Sequence, residues 1–110
     1  MEEIETIKQE IAKQLKDLDV ATVILFGSHA FGHPTSESDI DLYVVTKDNY
    51  IPDSYGEKRA VVRKVSKALI DIRLKKNLDL LVHTLPMHKK FYTLNSSFAQ
   101  DLKNKGIRIL

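Results

Sequence analysis

The feature that most constrains the fold is the alternation of helix-like and strand-like patterns along a chain of 110 residues. Apolar residues recur every three or four positions over 2–18 and again over 55–75, which predicts two amphipathic helices. Short apolar runs at 21–26, 39–45 and Leu78–His83 predict three strands. Because helical and extended patterns alternate, the sequence favours one sheet with helices packed on it.

Weaker signals complete the predicted order of elements. Ser28 is a good N-cap for one helical turn after the first strand, and the polar stretch 33–38 is typical of a loop. Near the end, Ser97 is expected to cap a short helix that stops at Gly106, and 107–110 is expected to form an edge strand. We therefore expect an α/β (α+β) fold over 1–110, with a single mixed sheet of about four strands flanked by helices.

Composition excludes several classes of function. The net charge of +2 lacks the strong basic excess of a dedicated duplex-DNA binder, so a nucleic-acid partner is not expected. The chain has no cysteine, which excludes disulfides and thiolate metal sites. The first residues are acidic and helical in pattern, unlike a signal peptide, and no apolar run is long enough to span a bilayer. We expect a cytoplasmic protein without a membrane partner.

Two acidic residues, Asp39 and Asp41, stand at the start of the second predicted strand. Residues two apart on a strand share one face and lie about 6.6 Å apart, so their carboxylates can lean together. Paired metal ions in phosphoryl-transfer sites lie roughly 3.5–4 Å apart, and Mg²⁺ prefers carboxylate and phosphate oxygens. The pair therefore predicts a magnesium site. Asp39 alone, following Ser38, is equally consistent with a turn residue.

A third carboxylate and a glycine turn extend this constellation. Asp79 is a lone acid in an apolar strand, and strand interiors are poor in Asp, so a shared cation would explain its presence. If its strand pairs beside that of Asp41, the two carboxylates lie about 4.8 Å apart sideways. Gly27 and Ser28 end the first strand, where a glycine lets backbone N–H groups approach a phosphate. A helix that starts at Ser28 adds donors, and the hydroxyl can reach a phosphate oxygen.

These residues resemble the DNA polymerase beta-type nucleotidyltransferase superfamily, and within it the minimal nucleotidyltransferases (MNT) of bacteria and archaea. The resemblance covers essentially the whole chain and rests on three segments: Gly27–Gly32 (GSHAFG), Ser38–Leu42 (SDIDL) and Asp79 within LDLLV. It implies a nucleotidyltransferase fold, ATP as substrate and Mg²⁺ as cofactor, with Mn²⁺ as a substitute. It also implies site roles: Asp39, Asp41 and Asp79 as catalytic and metal-binding residues, with Gly27, Ser28 and His29 at the nucleotide.

The sequence departs from this family at two positions of the phosphate turn. Relatives often carry Arg where this chain has His29 and Phe31. One phosphate contact is thus reduced to a histidine, and another is lost to an apolar ring. The three aspartates are intact, so the resemblance still implies an enzyme.

The resemblance also suggests an acceptor. Larger relatives add a helical domain that forms the acceptor pocket, and this sequence has no residues for one. MNT proteins often work beside a HEPN-domain protein as the antitoxin of a toxin–antitoxin pair, and some transfer AMP to a tyrosine of that partner. The resemblance therefore implies an AMP-transferring antitoxin. Two alternatives stay open: a small-molecule nucleotidyltransferase whose pocket is completed by a homo-oligomer or a partner, and a binding module that neutralises a partner by contact.

The remaining polar residues predict no second site. His83 and His88 lack metal-ligand spacing and are interpreted as structural. Tyr43 lies on the strand face of Asp41, where it either borders the pocket or packs in the core. A basic set in and after the second long helix is interpreted as mostly a solvated face: Lys58, Arg59, Arg63, Lys64, Lys67, Arg73, Lys75 and Lys76.

Overall fold

The computed structural model describes residues 2–31 and 39–110 of the chain. Helices and strands alternate as the sequence predicts. The elements are α1 Glu2–Lys16, β1 Val20–Phe26, α2 Ser28–Phe31, β2 Ile40–Thr46, α3 Tyr55–Ala68, α4 Ile70–Arg73, β3 Leu78–His83, α5 Leu85–Leu94, α6 Ser97–Lys105 and β4 Ile107–Arg108.

The four strands form one mixed sheet in the order β3-β2-β1-β4. The central strand β2 runs antiparallel to β1 and parallel to β3, and β4 pairs antiparallel with the other side of β1. The parallel pairing follows from the connection between β2 and β3, because α3 and α4 give the chain enough length to cross back over the sheet. The predicted four-stranded mixed sheet flanked by helices is confirmed.

The larger core lies on one face of the sheet. Alternate residues of β2, namely Ile40, Leu42 and Val44, are fully buried there, as period-two alternation requires. Helices α1 and α3 cover this face with their apolar stripes. The helical side chains buried in this core are Ile7, Ile11 and Leu15 of α1, Val61 and Val65 of α3, and Ile72 of α4.

The second face carries a smaller core and, at one end, the acidic residues. Tyr43 and Val45 of β2 point to this side and are fully buried under α5 and α6. Leu102 of α6 and Ile24 of β1 complete the cluster. Because side chains alternate along β2, Asp41 lies on the same face as Tyr43, beyond this core.

Three helix predictions need correction. The helix expected over 55–75 is broken at Leu69, whose backbone leaves the helical region (φ −102°, ψ 18°), so α3 and α4 are separate. A helix, α5, occupies Leu85–Leu94, where no clear pattern was predicted. The cap of α6 is Ser96, not Ser97, because the Ser96 side chain accepts a hydrogen bond from the Ala99 N–H.

Two further sequence expectations concern loops and membranes. The loop predicted over 33–38, with Ser38, lies outside the described residues. None of the helices in the described part of the chain is both long enough and apolar enough to cross a bilayer.

Candidate active site

The turn between β1 and α2 brings the backbone against a carboxylate. Gly27 has a φ of +75°, a backbone conformation that residues other than glycine rarely adopt. A Cβ at this position would overlap Oδ2 of Asp41, the second residue of the neighbouring strand. The Ala30 N–H donates to the Gly27 carbonyl at 3.0 Å, which closes the turn into α2. Glycine is therefore required at this position for two reasons: the backbone has a positive φ, and there is no room for a Cβ.

Asp41 and Asp79 are direct partners across the parallel pairing of β2 and β3. Their side chains point to the same face of the sheet, close enough for the Asp79 carboxyl to raise the pKa of Asp41. The structure thus brings together two acids that the sequence places 38 residues apart, at the end of the sheet where β1 turns at Gly27.

Two other acids and a histidine influence the pKa of Asp41. Burial raises the pKa of Asp41, and the hydrogen bond to Asp79 and the negative charges of Asp79 and Asp39 raise it further. The charge of His29 acts in the opposite direction and lowers that pKa. His29 and Asp39 are therefore near enough to influence Asp41. Asp39 itself is exposed and precedes the first residue of β2.

The donor set fits a hard cation. The carboxylates of Asp41 and Asp79 lie side by side on one face of the sheet, and carboxylate oxygens are ligands that Mg²⁺ prefers. Within residues 2–31 and 39–110, no group of three His, Asp or Glu side chains is placed to hold a metal ion. This is consistent with Mg²⁺ chemistry in which one or two carboxylates and the substrate phosphates share the coordination.

Aromatic side chains line the sheet beside the acids. Phe26 is the β1 partner of Asp41, and its ring meets that of Phe98 of α6 edge-on, with centroids 5.2 Å apart. Phe91 of α5 packs against Phe98 and against Tyr43. The acids are therefore bordered on the β1 side by an apolar wall.

The chain is similar to known nucleotidyltransferases. The sequence profile of the family "Polymerase beta, Nucleotidyltransferase" matches residues 5–105, nearly the whole chain. The chain belongs to this nucleotidyltransferase family. The resemblance seen in the sequence, including that to the minimal nucleotidyltransferases, is confirmed.

Two relatives of this nucleotidyltransferase come from Methanocaldococcus jannaschii, and both are named for protein adenylyltransferase activity. One is 31% identical over 109 residues, which cover 99% of this chain and 97% of the relative. The other is 37% identical over 82 residues, which cover 71% of this chain and 81% of the relative.

Two solved structures share the fold of this nucleotidyltransferase. One is a toxin–antitoxin with AMP-PNP, with a TM-score of 0.54 and 22% identity. The other is the toxin–antitoxin MntA-HpeT with two aspartates changed to glutamate, with a TM-score of 0.53 and 20% identity. Each alignment covers 94% of this chain and 72% of the matched chain. The nucleotidyltransferase fold expected from the sequence is confirmed.

A polar cluster of the nucleotidyltransferase was not foreseen from the sequence. The hydroxyl of Tyr43 lies 2.9 Å from Nδ1 of His83 and 2.7 Å from Nδ1 of His88. Burial lowers the pKa of both histidines. The charge of His88 lowers the pKa of His83 further, and the charge of Lys103 does the same for His88. The spacing of His83 and His88 in the sequence does not predict this cluster. The two histidines are connected through the hydroxyl of Tyr43, which lies on a different strand. Tyr43 is fully buried, so it packs in the core and does not border the pocket.

Proposed function

We propose that this nucleotidyltransferase transfers AMP from ATP to a hydroxyl group of a partner protein, with Mg²⁺ as cofactor and Mn²⁺ as a substitute. The observation that carries the proposal is the convergence of Asp41 and Asp79 beside the glycine turn. A pair of neighbouring carboxylates next to a backbone turn that cannot carry a side chain is suited to hold a cation and a triphosphate together.

Each residue has a defined part in an in-line displacement. A bond forms between the acceptor oxygen and the α-phosphorus while the bond from the α-phosphorus to the bridging oxygen breaks, which releases pyrophosphate. Gly27 and Ser28 hold the triphosphate through backbone N–H groups and the hydroxyl. Asp39, Asp41 and Asp79 would hold Mg²⁺, which neutralises the charge on the phosphates. Asp79 orients the acceptor hydroxyl and accepts its proton.

The acceptor is a protein side chain in this proposal, with a tyrosine of a HEPN-domain partner as the specific candidate. Two observations support it: relatives over most of the chain are named for protein adenylyltransferase activity, and structures of the same fold are toxin–antitoxin proteins. In the described part of the chain, the elements after His83 pack on the sheet, and none forms a lobe over Asp79. We infer an antitoxin that modifies its toxin in the cytoplasm.

The test is transfer of label from ATP to protein. The chain is incubated with Mg²⁺, the product of the adjacent gene and ATP labelled at the α-phosphate, and a parallel reaction uses ATP labelled at the γ-phosphate. We expect α-label, and no γ-label, on a tyrosine of the partner, with stoichiometric release of pyrophosphate. Asp41→Asn should remove the label.

Two outcomes would contradict the proposal. Label on an added aminoglycoside, with none on the partner, would identify a small-molecule enzyme. A stable complex that forms without label would identify a module that neutralises its partner by contact.

A further inference from the structure

The outward face of α3 carries an apolar and basic stripe that the fold does not use. Its residues lie three or four positions apart, so they share one side of the helix, and they border a shallow groove of about 380 Å³. We call these residues the α3 stripe: Tyr55, Lys58, Arg59, Val62, Arg63 and Ser66. The opposite side of α3 is buried through Val61 and Val65, so the stripe faces away from the core.

Two apolar members of the stripe are exposed to solvent. Tyr55 is 75% exposed and Val62 is 37% exposed, although both belong to a well-formed helix. The guanidinium of Arg59 lies 5.5 Å from the centre of the Tyr55 ring, which is a cation–π distance. The arginine therefore shields one side of the ring and leaves the rest of its surface to solvent.

The cations of the stripe also lack negative partners. Among the described residues, no ion pair involves Lys58, Arg59 or Arg63. By contrast, Lys64 on the same helix is paired with Asp48. Lys58 and Arg59 also lie in the N-terminal half of α3, where the helix dipole favours acids rather than bases. Intramolecular stability therefore does not explain this arrangement of charge.

We propose that the α3 stripe is the docking site for an acidic amphipathic helix of a partner protein. A linear row of side chains at three- and four-residue spacing matches the ridge of a second helix. Tyr55 and Val62 would contact the apolar side of that helix, and Lys58, Arg59 and Arg63 would pair with its carboxylates. The mixture of apolar and basic residues, in a chain of net charge +2, favours a protein helix over a nucleic acid.

The proposed docking site is separate from the candidate active site. The stripe belongs to the helix that covers the larger core, whereas Asp41 and Asp79 lie on the other face of the sheet. A partner held by α3 therefore leaves the nucleotide site open. The inference goes beyond the proposed function and does not depend on it, since the stripe can be tested without ATP.

The test uses a synthetic probe. A fluorescein-labelled peptide about three heptads long carries Leu at the a and d positions and Glu at e and g. Its affinity for the full chain is measured by fluorescence anisotropy, beside a matched peptide with Lys at e and g and a single-stranded oligouridine. We expect the wild-type chain to bind the Glu peptide at least about tenfold more tightly than the Lys peptide.

Variants locate the binding. The double change Arg59→Glu and Arg63→Glu should weaken Glu-peptide binding at least about tenfold and create binding of the Lys peptide. Lys89→Glu with Lys90→Glu makes the same charge change on α5, across the sheet, and should alter the affinity less than about twofold. Tyr55→Ser should weaken binding with no change of charge. All three variants should retain the wild-type circular dichroism spectrum.

Four results would overturn the inference. One is equal binding of the two peptides by the wild-type chain, and another is loss of Glu-peptide binding in the α5 control as large as in the α3 variant. The third is binding of oligouridine without binding of the Glu peptide, which would assign the stripe to nucleic acid. Sedimentation of the chain without peptide tests whether a second copy of the chain occupies the α3 stripe. A dimer that the α3 variant abolishes would also overturn the inference.

Discussion

At the scale of single residues, the site depends on one close contact between backbone and carboxylate. Gly27 has a positive φ and lies against Asp41, so its lack of a side chain both permits the turn and leaves room for the acid. The sequence indicated the glycine and the acids separately. It could not show that they touch, because the contact depends on the register in which Phe26 pairs with Asp41.

We therefore expect Gly27→Ala to impair both folding and function. The positive φ costs an L-residue about 1–2 kcal/mol, and the new methyl group must push Asp41 away from its place. Urea unfolding should show the loss, and AMP transfer should fall by at least about a hundredfold. Gly56→Ala is the matched control: its Cβ would meet only Ser54 Oγ at 3.9 Å, so stability should stay equal or rise by up to about 1 kcal/mol.

Asp41→Asn should separate stability from activity. Burial, the bond to Asp79 and nearby acids raise the pKa of Asp41, so its ionised form is disfavoured in the folded state. The stability that the protonated form contributes is present at low pH and is lost as pH rises through the raised pKa. Asn cannot ionise, so the variant should be slightly more stable than wild type at pH 8, with no such advantage at pH 3. Transfer should be abolished.

Unfolding curves at the two pH values check this expectation. A variant that is clearly less stable than wild type at pH 8 would show that the carboxylate pair supports the fold. Retained transfer would show that Asp41 does not hold the metal.

At the scale of elements, the sequence predicted the strands well and the helix ends less well. The apolar pattern runs without a break from Val61 through Leu69 to Ile72, with no glycine or proline between them, so the irregular backbone at Leu69 left no signal. Helix α5 was missed because none of its residues is fully buried, which weakens its periodicity. Pro86 in its first turn and the left-handed Asn95 at its end are the signals that could have located it.

Helix α5 should loosen from the sheet in mild acid. The Tyr43 hydroxyl can donate to only one of the two histidines, so the other must donate its Nδ1–H to the Tyr43 oxygen. The pKa values of His83 and His88 are lowered, so both are neutral in the folded state near pH 7. The stability that the neutral histidines contribute is present above their pKa in the unfolded chain, about 6.5. It is lost as pH falls through their lower pKa values in the folded protein.

The measurement is the urea midpoint between pH 7.5 and pH 5. Wild type should lose stability over this range, and His88→Gln, which keeps an acceptor for Tyr43 and removes one titrating group, should lose less. Tyr43→Phe should cost about 1–3 kcal/mol at pH 7.5, because it leaves partly buried imidazole nitrogens without the Tyr43 hydroxyl. A wild-type midpoint that is constant across this range would contradict the account.

At the scale of the whole molecule, one side of the acidic pair stands open. The described elements after His83 pack on the sheet and leave Asp79 exposed, and in the proposed function a partner protein covers this side. Composition gave the class of protein and the resemblance gave the family. Neither could show the α3 stripe, since exposure of Tyr55 and Val62 is known only once the buried side of α3 is known.

The isolated chain should accordingly be a poor catalyst. Holding an acceptor in line can account for roughly 7–11 kcal/mol of a barrier, and in this proposal a partner supplies that positioning. Turnover of ATP with Mg²⁺ is compared with and without the product of the adjacent gene, and we expect the rate to rise by orders of magnitude when the partner is present. Efficient modification of a free small molecule by the chain alone would contradict this expectation.

The central claim is that Asp39 and Asp41 bind Mg²⁺ together with a nucleoside triphosphate, and titration calorimetry with AMP-PNP tests it without any acceptor. The measurement is made with Mg²⁺ and with EDTA, on wild type, Asp39→Asn and Asp41→Asn. Because the converging acids repel a triphosphate until a cation is present, wild type should bind at least about tenfold more tightly with Mg²⁺. Both variants should lose that gain. Equal wild-type affinity in Mg²⁺ and EDTA, or an undiminished gain in Asp41→Asn, would contradict the account.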